Sequence, residues 1–361
     1  MAGRSEVSKI LRKPGEGLLT VTTGSGDAAK ILGPLLAAQS AASWPRIALK
    51  RLSQKGPQIV ALPSDTGGGI CRGAAHGPLH LRAALYSKHP ELASLDLGDI
   101  PCIPQLLEDS MLSPKQLRAS GTALWGAGWT KTKPVSALNL LKELLLEGFR
   151  KNPSGFRPFV LGGDHSTSWA VSEALFEAGL FPKLAILHFD AHTDLLEDRY
   201  GVVHCFATWA AHAAKRMHLG DRKNFVQLGV RVSGRTKSFW QKKFGLRQVW
   251  AKEILDKDPT AYAEALVASW KKAGCERLYV SFDVDALDTR FVPSTGTPEP
   301  GGLDPAWCRA VIETCAKALP LIAADIVELA PVLGSKADSR LSTRHSASVA
   351  AVLLKGLERG L

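Results

Sequence analysis

The feature that most constrains this chain is an alternation that begins near Gly56. Short, nearly continuous apolar runs at Gln58–Leu62, Pro158–Leu161, Leu184–Phe189, Phe225–Val230, Gln248–Trp250, Leu278–Phe282 and Ala323–Val327 read as strands. Stretches of helical periodicity lie between several of them, at Ala137–Lys151, Ser168–Glu177, Thr260–Ala273 and Pro305–Ala318. Strands that are apolar on both faces and separated by amphipathic helices predict an α/β fold, a parallel sheet covered by helices on both sides. Such sheets gather their chemistry at the carboxyl ends of the strands. No internal repeat or low-complexity tract interrupts the pattern, and one catalytic domain over 57–361 accounts for it.

Residues 1–56 read differently, as an N-terminal extension rich in Gly, Ser and Ala and partly helical around Asp27–Ser40. An oligomer contact, a lid and a loosely held tail are all open for it. The extension holds nine Lys/Arg against three acidic residues, so it carries +6 of the formal +11, and the remaining +5 is ordinary for a soluble enzyme. The basic excess meets no aromatic-basic module, which makes nucleic acid the weakest choice of partner. Six cysteines without a CxxC pair suggest neither a zinc knuckle nor a disulfide framework. No apolar run approaches the roughly 20 residues of a membrane helix. The basic N-terminus also lacks the continuous apolar core of a secretory signal. A cytoplasmic enzyme with a small-molecule partner is expected.

Three motifs follow three of the apolar runs. Gly162-Gly163-Asp164-His165-Ser166 presents His165 after a turn in which two glycines let the backbone pass close to a neighbour. Asp190, His192 and Asp194 sit at i, i+2 and i+4, which in extended chain places all three on one side. Coordinating groups crowded in this way repel or stay unsatisfied unless a cation lies among them. In Ser281-Phe282-Asp283-Val284-Asp285, the two carboxylates again share a face, suiting either metal ligation or a helix-capping turn. Two imidazoles and four carboxylates favour divalent ions such as Mn²⁺ over zinc in a thiolate site. Six ligands suit two ions, which at a separation of roughly 3.5–4 Å lower the pKa of water held between them towards about 7.

At these residues the chain resembles the ureohydrolase (arginase/agmatinase) family, whose three signatures stand here as GGDHS, DAHTD and SFDVDALD, the last continuing into Thr295–Gly302. Pro63-Ser64-Asp65, Arg72-Gly73-Ala74, Gly77-Pro78, Arg82, Asp96-Leu97-Gly98-Asp99 and Asp325–Pro331 are further counterparts, so the resemblance runs from about Gln58 to the C-terminus. It implies a three-layer α/β/α fold with a mainly parallel sheet of about eight strands, and a homo-oligomer, trimer or hexamer. It further implies two Mn²⁺ per subunit, with Ni²⁺ or another divalent ion as alternatives. His165, Asp190, Asp194 and Asp283 would hold one ion, and Asp190, His192, Asp283 and Asp285 the other. Glu299 would receive the substrate guanidinium, a planar cation that pairs with a carboxylate through two hydrogen bonds. His204, ten residues after Asp194, would pass a proton to the leaving amine. The family's His is usually followed by Gly, whereas Cys205 stands here, more naturally a structural thiol than a catalytic one.

The Asp194–His204 spacing resembles agmatinases, and Leu195–Val203 lacks the Asn and Ser with which arginases hold the amino-acid head of arginine. A linear guanidine without that head is expected, agmatine ranked slightly first. Glu197 and Asp198 would attract a distal ammonium; Arg199 would instead pair with the carboxylate of a guanidino acid such as guanidinobutyrate. A guanidino-acid or formimino-acid hydrolase, and a member that has lost catalysis and serves as a binding subunit, are the alternatives.

Overall fold

The computed structural model describes residues 6–19, 31–33, 36 and 40–360. Eight strands form one wholly parallel sheet: β1 (Gly56–Ala61), β2 (Asp96–Asp99), β3 (Phe156–Leu161), β4 (Leu184–Phe189), β5 (Phe225–Val230), β6 (Arg247–Trp250), β7 (Arg277–Asp283) and β8 (Leu321–Val327). Their order is β2-β1-β3-β8-β7-β4-β5-β6. Side chains alternate between two apolar layers: Ile59 and Ala61 of β1 join one, Val60 and Leu62 the other. This is why the strands read as continuous apolar runs, since both faces are covered.

The helices are α1 (Trp44–Leu52), α2 (Gly77–Lys88), α3 (Pro114–Trp125), α4 (Ala137–Lys151), α5 (Thr167–Glu177), α6 (Trp209–Arg216), α7 (Lys237–Phe244), α8 (Pro259–Lys272), α9 (Pro305–Ala318) and α10 (Lys336–Arg359). Buried residues of α2, α8, α9 and α10, among them Leu85, Trp270, Ile312 and Leu353, pack on one face of the sheet. Those of α1, α4, α5, α6 and α7, among them Trp44, Leu144, Val171, Trp209 and Trp240, pack on the other. The helices expected at Ala137–Lys151 and Pro305–Ala318 have those bounds. Among the described residues, no helix is long and apolar enough to cross a membrane.

The strand missing from the sequence reading is β2, whose four residues include two carboxylates. Asp96 and Asp99 are buried because Arg82, itself fully buried on α2, takes both: Nε and Nη2 bond Asp96 at 2.7 and 2.9 Å, and Nη1 pairs with Asp99. A buried charge needs such partners. At this edge Arg12 exchanges two backbone hydrogen bonds of 2.9 Å with Asp99, and Asp99 Oδ2 accepts from Gly15 and Gly17. Val7 and Leu11 are buried, and Ser8 Oγ donates to Glu147 at 2.6 Å. The described part of the extension is thus built onto the domain and covers an open sheet edge. Of the helix expected at Asp27–Ser40, only residues 31–33, 36 and 40 are described; 31–33 and 36 are helical.

Candidate metal centre

The three motifs occupy the carboxyl ends of β3, β4 and β7, close neighbours in the sheet. After β3, Gly163 passes so near Ser64 that a Cβ would lie 1.7 Å from its carbonyl oxygen, which excludes any side chain. Asp164 ties this turn down by accepting from Gly67 N at 2.9 Å and Ser166 N at 2.8 Å. His165 then faces three carboxylates, its Nδ1 lying 3.2, 3.0 and 3.1 Å from Oδ2 of Asp190, Asp194 and Asp283.

The ring is fixed from behind. His165 Nε2 lies 3.1 Å from Ser281 Oγ, which donates to Asp325 Oδ1 at 2.8 Å, as does Ser168 Oγ. Glu328 Oε1 accepts from His165 N at 2.8 Å. Buried carboxylates behind a histidine orient it for ligation. Ser168, Ser281, Asp325 and Glu328 in this supporting role were not picked out from sequence, because three separate segments assemble it.

After β4 the sequence expectation needs correction. The strand ends at Phe189, and Asp194 has φ of 50°, so residues 190–194 are not extended and do not aim at one point. The bend divides them between two donor groups that share Asp190: one with His165 and Asp194, the other with His192 and Asp285. Asp190 Oδ2 faces His165 Nδ1, while Asp190 Oδ1 lies 3.4 Å from His192 Nδ1. His192 Nδ1 is also 3.0 Å from Asp285 Oδ2, which accepts from Thr297 Oγ1 at 3.0 Å. Asp283 Oδ1 caps the following turn through Asp285 N at 2.8 Å, and its Oδ2 faces His165 Nδ1 at 3.1 Å.

His188, an imidazole in an otherwise apolar strand, also approaches the cluster. Gln227 Nε2 donates to the carbonyl of Thr193 at 2.6 Å and lies 3.0 Å from His188 Nδ1, which must therefore accept. The proton of His188 is then on Nε2 and is given to Asp190 Oδ2 at 2.8 Å. His188 orients Asp190 and has no free nitrogen to offer an ion. Trp209, fully buried, closes this side against His165 and His188, with ring centroids 5.3 and 4.7 Å away.

The electrostatics fit divalent cations. His165 Nδ1 and Asp194 Oδ2 are buried and, despite the short distances around them, neither makes an aligned hydrogen bond. Burial and the neighbouring Asp190 push the Asp194 carboxyl up to about 7, and burial with Asp285 and Asp190 pushes that of Asp283 well above the usual range. Burial alone would lower the imidazole of His192, but Asp285 and Asp190 outweigh it and raise it to about 12. Oxygen and imidazole donors crowded with excess negative charge are the donor set of a hard-to-borderline divalent ion.

A cleft of about 650 Å³ opens beside the cluster, and His192, Asp194, Asp198 and Arg199 line it. Glu299 Oε1 lies 3.9 Å from His192 Nε2, so the carboxylate expected to bind substrate stands next to the second donor group. Its loop is held by Arg231, not foreseen from sequence, which donates to the carbonyls of Glu299 at 2.8 Å and Asp285 at 2.6 Å. Asp288 Oδ2 accepts from Gly301 N and Gly302 N at 2.7 and 3.0 Å.

The remaining expected residues are placed less directly. His204 is not among the residues lining the cleft. Its Nδ1 pairs with Glu108 Oε1 at 3.0 Å, and its ring stacks on Trp169 at 4.0 Å. Cys205 is buried, with its thiol pushed up chiefly by burial, and its backbone N–H donates to Thr208 Oγ1 at 3.0 Å. Glu197 pairs with Lys243 at 3.1 Å and Lys215 at 3.4 Å. Asp198 Oδ1 accepts from Gly201 N at 3.0 Å.

Comparison with known proteins agrees with this architecture. The Arginase family model matches residues 56–356. A guanidinobutyrase of Pseudomonas aeruginosa is 29% identical over 282 residues, 76% of this chain and 78% of the relative. An agmatinase of Bacillus subtilis is 32% identical over 200 residues, 55% of this chain and 63% of the relative. The structure of proclavaminate amidino hydrolase from Streptomyces clavuligerus superposes with a TM-score of 0.64 at 23% identity, covering 85% of this chain and 93% of that one. The fold, the strand-end motifs and the extent of the family match lead to one conclusion: this chain belongs to the arginase family and is a hydrolase of its ureohydrolase group.

Proposed function

We propose that the chain hydrolyses a linear guanidino acid to urea and an amino acid, using two Mn²⁺ ions held by His165, Asp190, His192, Asp194, Asp283 and Asp285. The carrying observation is the pair of donor groups that share Asp190 at the cleft. Two divalent ions in such a site supply Lewis acidity and lower the pKa of water towards about 7. Asp190, with one oxygen towards each group, would be shared by the two ion sites. Glu299 receives the guanidinium, and water adds across its carbon as the C–N bond to the chain nitrogen breaks. His204 supplies the proton that the departing amine needs, from Nε2, with the Glu108 carboxylate 3.0 Å from its Nδ1 and Trp169 stacked on the ring.

Charge in the cleft supports the carboxylate tail over the ammonium tail that sequence ranked first. Glu197 is engaged by Lys243 and Lys215, which leaves Asp198, whose Oδ1 accepts from a backbone amide, as the one acidic group of that loop open to an ammonium. Arg199 and Arg235 also line the cleft, stacked on Phe206 and Phe239 at 5.0 and 5.4 Å. Among the described residues neither has a carboxylate partner, so a substrate carboxylate meets two guanidinium groups.

Urea release from the Mn²⁺-loaded protein is the test, with guanidinobutyrate, agmatine, arginine and formimidoylglutamate compared by kcat/KM. Guanidinobutyrate is expected to exceed agmatine, and arginine to be poor. A preference for agmatine would overturn the tail assignment. No urea from any of them, with two ions bound, would favour the binding-subunit alternative.

A further inference from the structure

A larger cavity, about 790 Å³, lies away from the metal centre between α2 and α10 and under the loop that joins β8 to α10. Ala84, Ala347 and Val332 give it an apolar floor and wall. Lys88, Lys336, Arg340 and Arg344 line it as well, and no Asp or Glu does. Among the described residues, none of these four cations has a carboxylate within ion-pair distance; Arg344 has only His345 Nε2, 3.5 Å from its Nη2. The nearby Asp338 is taken up by the helix cap, where its Oδ2 accepts from Ser335 N and Oγ at 2.9 and 2.8 Å. Thr343 also lines the cavity, and its buried hydroxyl oxygen has no hydrogen-bond partner.

Unpaired like charges in one concavity repel each other and concentrate anions, because low-dielectric walls focus their field. Nothing in the proposed hydrolysis uses them. The volume is that of a small-molecule site, which ordinarily combines apolar walls with a few polar groups. We infer that this cavity binds a small organic dianion, an apolar frame bearing two anionic groups, with the cations of α2 and α10 on the anions and the alanine floor under the frame.

Naphthalene disulfonate is a suitable probe because it has both parts and does not chelate Mn²⁺ strongly. Calorimetry on the Mn²⁺-loaded full chain, at fixed ionic strength, is expected to give saturable binding of one probe per chain. The double variant Lys336→Glu/Arg340→Glu should weaken it about tenfold or more, the equivalent of at least one lost charge contact. That variant is expected to fold, since both positions are exposed on α10 and Glu is a good helix former. Ala84→Leu, which fills the floor without changing charge, should weaken it too. Lys271→Glu/Lys272→Glu on the exposed face of α8 should not. Equal loss in that control would reduce the effect to general attraction and overturn the inference. So would unchanged binding in the first variant, or a cavity that takes an acidic peptide and refuses the disulfonate.

Discussion

Arg231 Nη2 donates to the carbonyl oxygen of Glu299 at 2.8 Å, so one guanidinium holds the backbone of the proposed substrate-binding carboxylate. The same nitrogen reaches the carbonyl of Asp285 at 2.6 Å, and Nε reaches that of Pro300 at 3.1 Å. Arg231 therefore fixes the spacing between Glu299 and the second donor group. Removing it with Arg231→Met is expected to lower kcat/KM about 10- to 100-fold, the usual cost of a small misplacement of reacting groups. Bound metal should be unchanged, because Arg231 meets Asp285 only at its backbone carbonyl and touches no proposed donor atom. Steady-state kinetics with elemental analysis checks this, and metal loss matching the activity loss would contradict it.

Asp288 anchors the other end of that loop. Burial would raise its carboxyl, but the amides of Arg290, Gly302 and Gly301 outweigh burial and hold it below the ordinary range. A depressed carboxylate adds stability above its unfolded pKa and loses it as pH falls through the folded value. The stability gap between wild type and Asp288→Asn, measured by urea unfolding of the metal-free proteins, should be present at about pH 6 and shrink as the pH falls below the ordinary carboxylate range. A gap independent of pH would refute the ionised anchor.

The parallel sheet was legible because burial on both faces forces apolar runs, and the six proposed donors stood out because each follows such a run. What escaped lies across long sequence separations. The strand Asp96–Asp99 is polar in sequence since its carboxylates satisfy the buried Arg82, a partner on another element. Asp325 and Glu328, which steady His165, come from a segment more than 150 residues later. The approach of Asp190, His192 and Asp194 looked like strand alternation, and only the left-handed backbone of Asp194 revealed two groups. His188 did leave a signal: a lone imidazole in the apolar run Leu184–Phe189, two residues before a proposed ligand.

The proposed tail specificity rests on Arg199. Reversing its charge with Arg199→Glu is expected to shift the guanidinobutyrate-to-agmatine ratio of kcat/KM about tenfold towards agmatine, the scale of a solvent-screened charge contact. A ratio that does not move would show that the tail lies elsewhere.

Ser8 ties the N-terminal segment to α4. Its hydroxyl bonds Glu147 Oε1 at 2.6 Å and its backbone N–H bonds Oε2 at 3.1 Å, with Lys151 at 3.0 Å on the same carboxylate. Ser8→Ala leaves a buried acceptor short of a donor and should cost about 1–3 kcal/mol. A lower urea midpoint with unchanged slope reads this out, and an unchanged midpoint would mean that the segment does not stabilise the domain.

The metal content of Asp190→Ala, set beside that of wild type after the same Mn²⁺ loading, tests the central claim most directly. Asp190 is the one residue shared by both donor groups. Wild type is expected to hold two ions per chain, and the variant well below one, with urea release lost. A variant that keeps two ions, or a wild type that saturates with one, would contradict a binuclear site built on Asp190.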